Sequence, residues 1–232
     1  MSNLIITGGS RLCGIIEVPG AKNSVLPVLA ATLLNKGTSI LENCPELDDV
    51  TTMLEILEAL GCGIRRKGSR IEVDASQLTA SSIPEELAKK MRSSIIILGS
   101  LLARCGEAYL SYPGGCEIGM RPIDMHLKAL MQMGAQIDGI SDGMLRCRAG
   151  KLTGCEILLD YPSVGATENI MLAASLAEGE TIIQNAAKEP EIDDLQAFLR
   201  KMGINVSGAG TGVIRIQGAR EIKGEPVHRI IP

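Results

Sequence analysis

Gly37-Thr-Ser-Ile-Leu-Glu-Asn43 recurs twice in this chain, as Gly106-Glu-Ala-Tyr-Leu-Ser-Tyr112 and as Gly179-Glu-Thr-Ile-Ile-Gln-Asn185. Each copy follows an apolar run and leads into a helical pattern closing on Leu60-Gly61, Met133-Gly134 or Met202-Gly203. The leading glycines stand 69 and 73 residues apart, the closing ones 73 and 69. A fixed period of about 70 residues marks a repeated supersecondary unit. Within a copy the two glycines are 24, 28 and 24 residues apart, so the middle copy is four residues longer. The extra length falls in Pro113-Gly-Gly-Cys-Glu-Ile-Gly-Met-Arg121. A Gly-rich excursion in one copy alone is where a repeat fold carries its chemistry.

Each unit opens on a nearly all-apolar helical stretch: 24–34, 94–103 and 166–177. A helix apolar on most sides is buried on most sides. After the short strand comes an amphipathic helix. In the first copy Val50, Met53, Leu54, Leu57 and Leu60 form its inner stripe, while Thr52, Glu55 and Glu58 face water. Asp49 and Asp193 suit helix N-termini, and Pro122 suits a first helical position. The closing strands alternate: Ile71 and Val73 against Glu72 and Asp74, Leu145 and Cys147 against Arg146 and Arg148, Ile214 and Ile216 against Arg215 and Gln217. Alternation means sheets with one wet face. The reading is an α/β fold, an inside-out α/β barrel of three βαβαββ-type repeats with helices central and sheets outside. The units cover about 22–89, 90–162 and 163–229. A unit of that size is marginal for a private core, so the three share one.

Composition narrows the function. A net charge of −4, no Trp, one Phe and three Tyr offer neither bulk attraction to nucleic acid nor stacking platforms. The longest greasy stretch, 95–103, is too short for a membrane span. No secretory leader is expected from Met1-Ser-Asn-Leu-Ile-Ile-Thr-Gly-Gly9. Seven scattered cysteines without a C-x-x-C pair, with two His, argue against zinc and disulfides and for a cytoplasmic protein. Six of them are expected to act as small core hydrophobes, and Cys116 in the inserted loop stands apart. Gly208-x-Gly210-x-Gly212 opens no helix and reads as a hairpin turn. Arg65-Arg-Lys67 reads as a wet hairpin face. Cys116 and His126 lack an evident orienting acid for a cysteine hydrolase.

The run Gly20-Ala-Lys-Asn23, the stretch Met91-Arg-Ser-Ser94, the loop from Pro113 to Asp124 and Ser163-Val-Gly-Ala-Thr167 resemble the enolpyruvyl transferase family over essentially the whole chain. The cysteine loop matches the branch that uses UDP-N-acetylglucosamine, at the first committed step of peptidoglycan synthesis. The resemblance implies that the enolpyruvyl group of phosphoenolpyruvate passes to the sugar 3-hydroxyl with release of phosphate. It implies no metal and no organic cofactor. Lys22 and Asn23 match residues that meet phosphoenolpyruvate and the sugar, and Arg92 matches one on the nucleotide-sugar side. Cys116 matches the proton donor, which also forms a covalent adduct with phosphoenolpyruvate and is the target of fosfomycin. Arg121, Pro122, Ile123, Asp124 and Met125 match the segment along the uridine and phosphates, and Ser163 with Val164 a second contact to the same ligand.

Each of these has a plain structural alternative. Lys22 reads equally as a solvated lysine, Arg92 as a snorkelling arginine, and Ser163 as an N-cap whose neighbouring amides could also face phosphate. The resemblance further implies a second barrel. Residues 1–21 resemble strands belonging to it, 230–232 the start of a crossover into it, and Asp48 stands where some members carry lysine. A non-catalytic nucleotide-sugar-binding domain or an inactive fragment is the competing reading. A transferase for another phosphorylated alcohol is a third, disfavoured by the cysteine loop.

Overall fold

The three apolar runs form helices whose sides are buried almost throughout. They are α1 (Lys22–Thr32), α4 (Ile97–Cys105) and α6 (Val164–Ala174). The computed structural model describes residues 5–9, 11, 13–111, 123–139 and 143–232, with the side chain of Arg92 left out. Every residue from Ser24 to Thr32 and from Ala166 to Ala174 is buried. These central helices run in one direction. Their leading ends share one cavity, and Leu34, Leu102 and Leu176 beyond or near their trailing ends share another.

Small and polar residues at about one repeat spacing hold the helices together. Ser100 Oγ donates to Ala30 O at 2.8 Å, joining α4 to α1. Gly99 N donates to Asn169 Oδ1 at 2.7 Å, and Asn169 Nδ2 donates to Ile95 O at 3.1 Å, joining α6 to α4 and to the turn of 3-10 helix, Arg92–Ile96, before it. A Cβ on Gly99 would lie 2.3 Å from Asn169 O, so only glycine permits this approach.

Around the helices, among the described residues, stand three sheets. The first strands of the units are β1 (Thr38–Glu42), β4 (Glu107–Ser111) and β8 (Glu180–Gln184). Each runs antiparallel to the second strand of its closing hairpin. The hairpins are β2 (Gly63–Lys67) with β3 (Arg70–Asp74), β5 (Gln136–Asp138) with β6 (Met144–Arg148), and β9 (Asn205–Ser207) with β10 (Val213–Gln217). The amphipathic helices α2 (Asp48–Ala59), α5 (Asp124–Gln132) and α7 (Pro190–Lys201) connect them, and α3 (Glu85–Lys90) leads into the second unit. Gly61, Gly134 and Gly203 take φ of 102°, 99° and 87°, the left-handed geometry that ends a helix. The glycine punctuation of the repeat is thus a set of helix stops. The α/β barrel with helices inside is as expected, and Gly208 to Gly212 is a hairpin turn.

One feature of the sheets is absent from the sequence pattern. Each unit's first strand also has a parallel neighbour supplied from elsewhere. β7 (Glu156–Leu158) pairs with β8, and Ser82 bridges to Tyr109 in β4. For β1 the neighbour is β11 (Val227–Arg229), at the far end of the chain, in register Ile40↔Val227. The ring of units is closed by its own tail. Asn43 and Asn185, at matching repeat positions, both take left-handed φ (60° and 57°). Their amides donate to Ile230 O and Leu159 O, the residues following the parallel neighbours. Beneath β11, His228 Nε2 meets Asp194 Oδ1 of α7 at 2.8 Å, both side chains buried. The chain enters and leaves the barrel side by side, for Ala21 N donates to Ile231 O at 2.7 Å. Before it, Ile5, Ile6, Ile15, Ile16 and Val18 are exposed and pair with no described strand.

The expectation of six core cysteines needs correction. Cys44, Cys62 and Cys147 are buried, Cys155 is half-buried, and Cys13 and Cys105 are exposed. Cys105 is the last residue of α4, where the helix leaves the core, and Cys13 sits in the uncovered leading segment. Burial pushes the three core thiols up to about 12.

Two outcomes are expected. Gly99→Ala drives α4 and α6 apart and lowers stability by about 1–3 kcal/mol, the usual cost of overpacking, read as a reduced urea midpoint. Full stability in that variant would show that the helices do not meet here as described. In peptide mapping after iodoacetamide at about pH 8, Cys44, Cys62 and Cys147 stay unmodified until the protein unfolds, whereas Cys13 is labelled. Equal labelling of all four would mean an open core.

Candidate functional site

The leading ends of the three central units converge on a cavity of about 530 Å³. From the first unit come Asn23, Leu26 and Pro27, from the second Ser93, Ile95 and Ile96, and from the third Ser163, Val164 and Gly165. Helix N-termini present unsatisfied N–H groups and about half a positive charge each, so their convergence favours an anion. Ser163 caps α6, its Oγ accepting from Ala166 N at 3.4 Å. That leaves the amides of Val164 and Gly165 on the cavity side of the cap. The capping reading of Ser163 holds, and the phosphate reading remains compatible with it.

Of the candidate residues, Asn23, Ile123, Ser163 and Val164 line this cavity. Lys22 does not. It is the first residue of α1, half-exposed, and pairs with Asp49 Oδ2 in the first turn of α2 at 2.8 Å. That exposed pair has little intrinsic strength, so Lys22 is held near the mouth without being locked there. Asp124 is exposed at the start of α5, and Met125 is buried and turned toward Ile157 and Leu159 instead. For Arg92 the backbone stands beside Ser93 at the cavity. Cys116, Arg121 and Pro122 lie outside the described residues.

Among the lining residues that the sequence did not single out as part of a site are His126, Glu168 and Glu191. His126 is buried, its Nδ1 3.0 Å from Asn169 Nδ2. Asn169 Oδ1 already accepts from Gly99 N, which fixes the amide. Its NH2 therefore donates to Nδ1, and the neutral ring carries its proton on Nε2. That edge faces the start of α6, because a Cβ on Gly165 would lie 3.4 Å from His126 Nε2. The residue that clamps two central helices also orients an imidazole at the cavity wall.

Glu168 sits one turn into α6 and is only 3% exposed. Burial, then the carboxylates of Glu191 and Glu189, hold its carboxyl well above the ordinary value of 4.5. The folded protein binds that proton more tightly than the unfolded chain. This contribution to stability is therefore full below about pH 4.5 and is lost as pH rises through the raised value. One signal was available in the sequence: Glu168 is the one charged residue of a mostly apolar helix, four residues after its start. Among the described residues there is no group of His, Cys, Asp or Glu able to hold a metal ion. No helix there is long and apolar enough to cross a membrane.

Comparison with known proteins agrees with this architecture. Residues 6–232 match the family model described as EPSP synthase (3-phosphoshikimate 1-carboxyvinyltransferase). A UDP-N-acetylglucosamine 1-carboxyvinyltransferase of Caldanaerobacter subterraneus is 54% identical over 232 residues, covering 100% of this chain and 55% of that protein. One from Carboxydothermus hydrogenoformans is 52% identical and covered over 54% of its length. The chain thus spans about half the length of the curated relatives it matches. Among solved structures, the enolpyruvyl transferase NikO of Streptomyces tendae superposes with a TM-score of 0.84 at 26% identity, over 97% of this chain and 53% of that one. EPSP synthase of Acinetobacter baumannii shares the fold at a TM-score of 0.72 and 22% identity, over 94% and 49% of the two chains. The chain belongs to the EPSP synthase family of enolpyruvyl (carboxyvinyl) transferases.

Proposed function

We propose that this chain is the nucleotide-sugar-holding barrel of a two-barrel enzyme. That enzyme moves the enolpyruvyl group of phosphoenolpyruvate to the 3-hydroxyl of UDP-N-acetylglucosamine and releases phosphate. The observation that carries the reading is the cavity at which the N-termini of α1 and α6 meet the 3-10 turn before α4, suited to a ligand bearing phosphates. Relatives about 50% identical and nearly twice as long bear the name of this activity. The adjacent points where the chain enters and leaves the barrel, and the uncovered isoleucines before it, suit a second barrel on that side.

Within this reading, Ser163 and the amides of Val164 and Gly165 hold a phosphate of the nucleotide sugar, and Asn23 meets the sugar. Lys22, on release from Asp49, meets the anionic phosphoenolpyruvate. Arg92 and Arg121 supply the guanidinium forks that phosphates favour. Ile123 packs against the nucleotide beside Pro122, while Asp124 and Met125 set the segment that carries it. Cys116 gives the proton that turns the methylene carbon of phosphoenolpyruvate into a methyl group, as the sugar oxygen adds to its neighbour and gives up its own proton to a carboxylate of the second barrel. The addition product then loses phosphate and a proton, restoring the double bond. A thiol does this near neutral pH when a nearby guanidinium lowers its pKa. The reading requires no metal or organic cofactor and takes place in the cytoplasm, as a step of cell-wall synthesis open to fosfomycin.

Two-substrate catalysis depends on holding both reactants in register. The 232-residue chain alone is therefore expected to bind UDP-N-acetylglucosamine weakly, in the millimolar range, and to release no phosphate. A two-barrel form should turn over. Phosphate release by the isolated chain at a rate equal to the two-barrel form would sink the two-barrel requirement. In the two-barrel form Cys116→Asp should keep transfer and lose fosfomycin sensitivity, because a carboxylic acid still gives a proton. Cys116→Ser should lose most activity, and a serine variant as active as the parent would remove Cys116 from the chemistry.

A further inference from the structure

Glu168 is a costly residue with no structural employment. It is 3% exposed, it forms no hydrogen bond or ion pair with the described residues, and it lines the cavity. A buried polar group without a partner is destabilising, and an apolar side chain at this place on α6 would pack without that cost. Neutral burial explains how the residue survives folding but not what it serves.

Its surroundings say what it can meet. Glu189 and Glu191 face it from the head of α7. Asn23 from α1, Ser93, His126 from α5 and Tyr161 complete the wall. This corner repels anions. One helical turn away, about 6 Å along α6, the amides of Val164 and Gly165 and the Ser163 cap favour them. The cavity is thus polarised: an anion belongs at the helix ends, and an uncharged polar group one turn deeper.

We propose that Glu168 is a specificity-determining contact whose carboxyl hydrogen-bonds an uncharged hydroxyl or amide group of the bound nucleotide sugar. This rests on the nucleotide-sugar reading given above. As a carboxylic acid Glu168 offers one donor and one acceptor side by side. That matches the hydroxyl of a sugar or the C=O and N–H of an amide, and rejects a phosphate placed there. The ligand supplies the partner that the protein withholds.

Binding that needs the acid form weakens as pH rises through the carboxyl's value in the complex, because the carboxylate loses its donor. His126, Glu189 and Glu191 stand around the same corner, so the pH profile is assigned by substitution. The test is titration of this chain with UDP-N-acetylglucosamine, with UDP-glucose and with UDP, followed by NMR or calorimetry across the pH range in which the chain stays folded. The parent's affinity for UDP-N-acetylglucosamine falls with pH. Glu168→Gln keeps the affinity found at low pH and flattens that fall. Glu168→Leu is at least as stable to heat as the parent yet binds UDP-N-acetylglucosamine about tenfold or more weakly, with UDP unaffected. If the leucine loss vanishes with UDP-glucose, the contact is to the acetamido group; if it persists, to a hydroxyl. Equal binding of UDP-N-acetylglucosamine by parent and leucine variant, or an unchanged pH profile in Glu168→Gln, overturns the proposal. A parent that binds neither UDP nor UDP-N-acetylglucosamine overturns the nucleotide-sugar reading itself, and the proposal with it.

Discussion

The close approach of α4 to α6 at Gly99 is the contact on which the barrel rests. Asn169 Oδ1 accepts the Gly99 amide, and its NH2 serves both Ile95 O and His126. A side-chain amide buried among apolar helices is tolerated only when its donors and acceptors are engaged. Here every engagement ties a different element to the axis. With α1 joined through Ser100, three helices pack in parallel, an arrangement their dipoles oppose. It persists because their sides are otherwise apolar and the sheets enclose them.

That parallel packing sets where function resides. All the unfilled N–H groups gather at one end and all the unfilled carbonyls at the other. The cavity forms at the N–H end, and the side chains that shape it come from the first turns of the units: Asn23, Ser93 and Ser163. The other end is lined by Lys36, Arg104, Lys151 and Arg220, cations placed where helix carbonyls end. The two ends are thus chemically distinct before any ligand arrives.

Much of this was legible in the residues. Glycine spacing located the helix stops, apolar runs located the axis, and alternation located the wet sheets, because each is a local rule. Asn23, Ser163 and Val164 were picked out by the family resemblance, and they line the cavity because they stand at helix starts. Glu168 and His126 were not, since a lone polar residue in an apolar pattern does not say which way it faces. The exposed Cys105 was missed for the same reason: at the last residue of a helix, position and not type decides burial. The pairing of β11 with β1 was hidden because nothing local in Val227-His-Arg229 names a partner nearly the whole chain away.

That pairing has a temporal meaning. A chain is made from its N-terminus, so α1, β1 and the hairpin of the first unit emerge long before Val227 does. Throughout that interval β1 has only β3 beside it, and its other edge is bare. Asn43 has no Ile230 to bind, and α7 has no His228 against Asp194. Bare edges invite wrong partners, and long-range closure is slow. Nascent chains held on the ribosome short of residue 227 therefore carry an incomplete first sheet, whatever the state of the second and third. The unit synthesised first is the last to be finished.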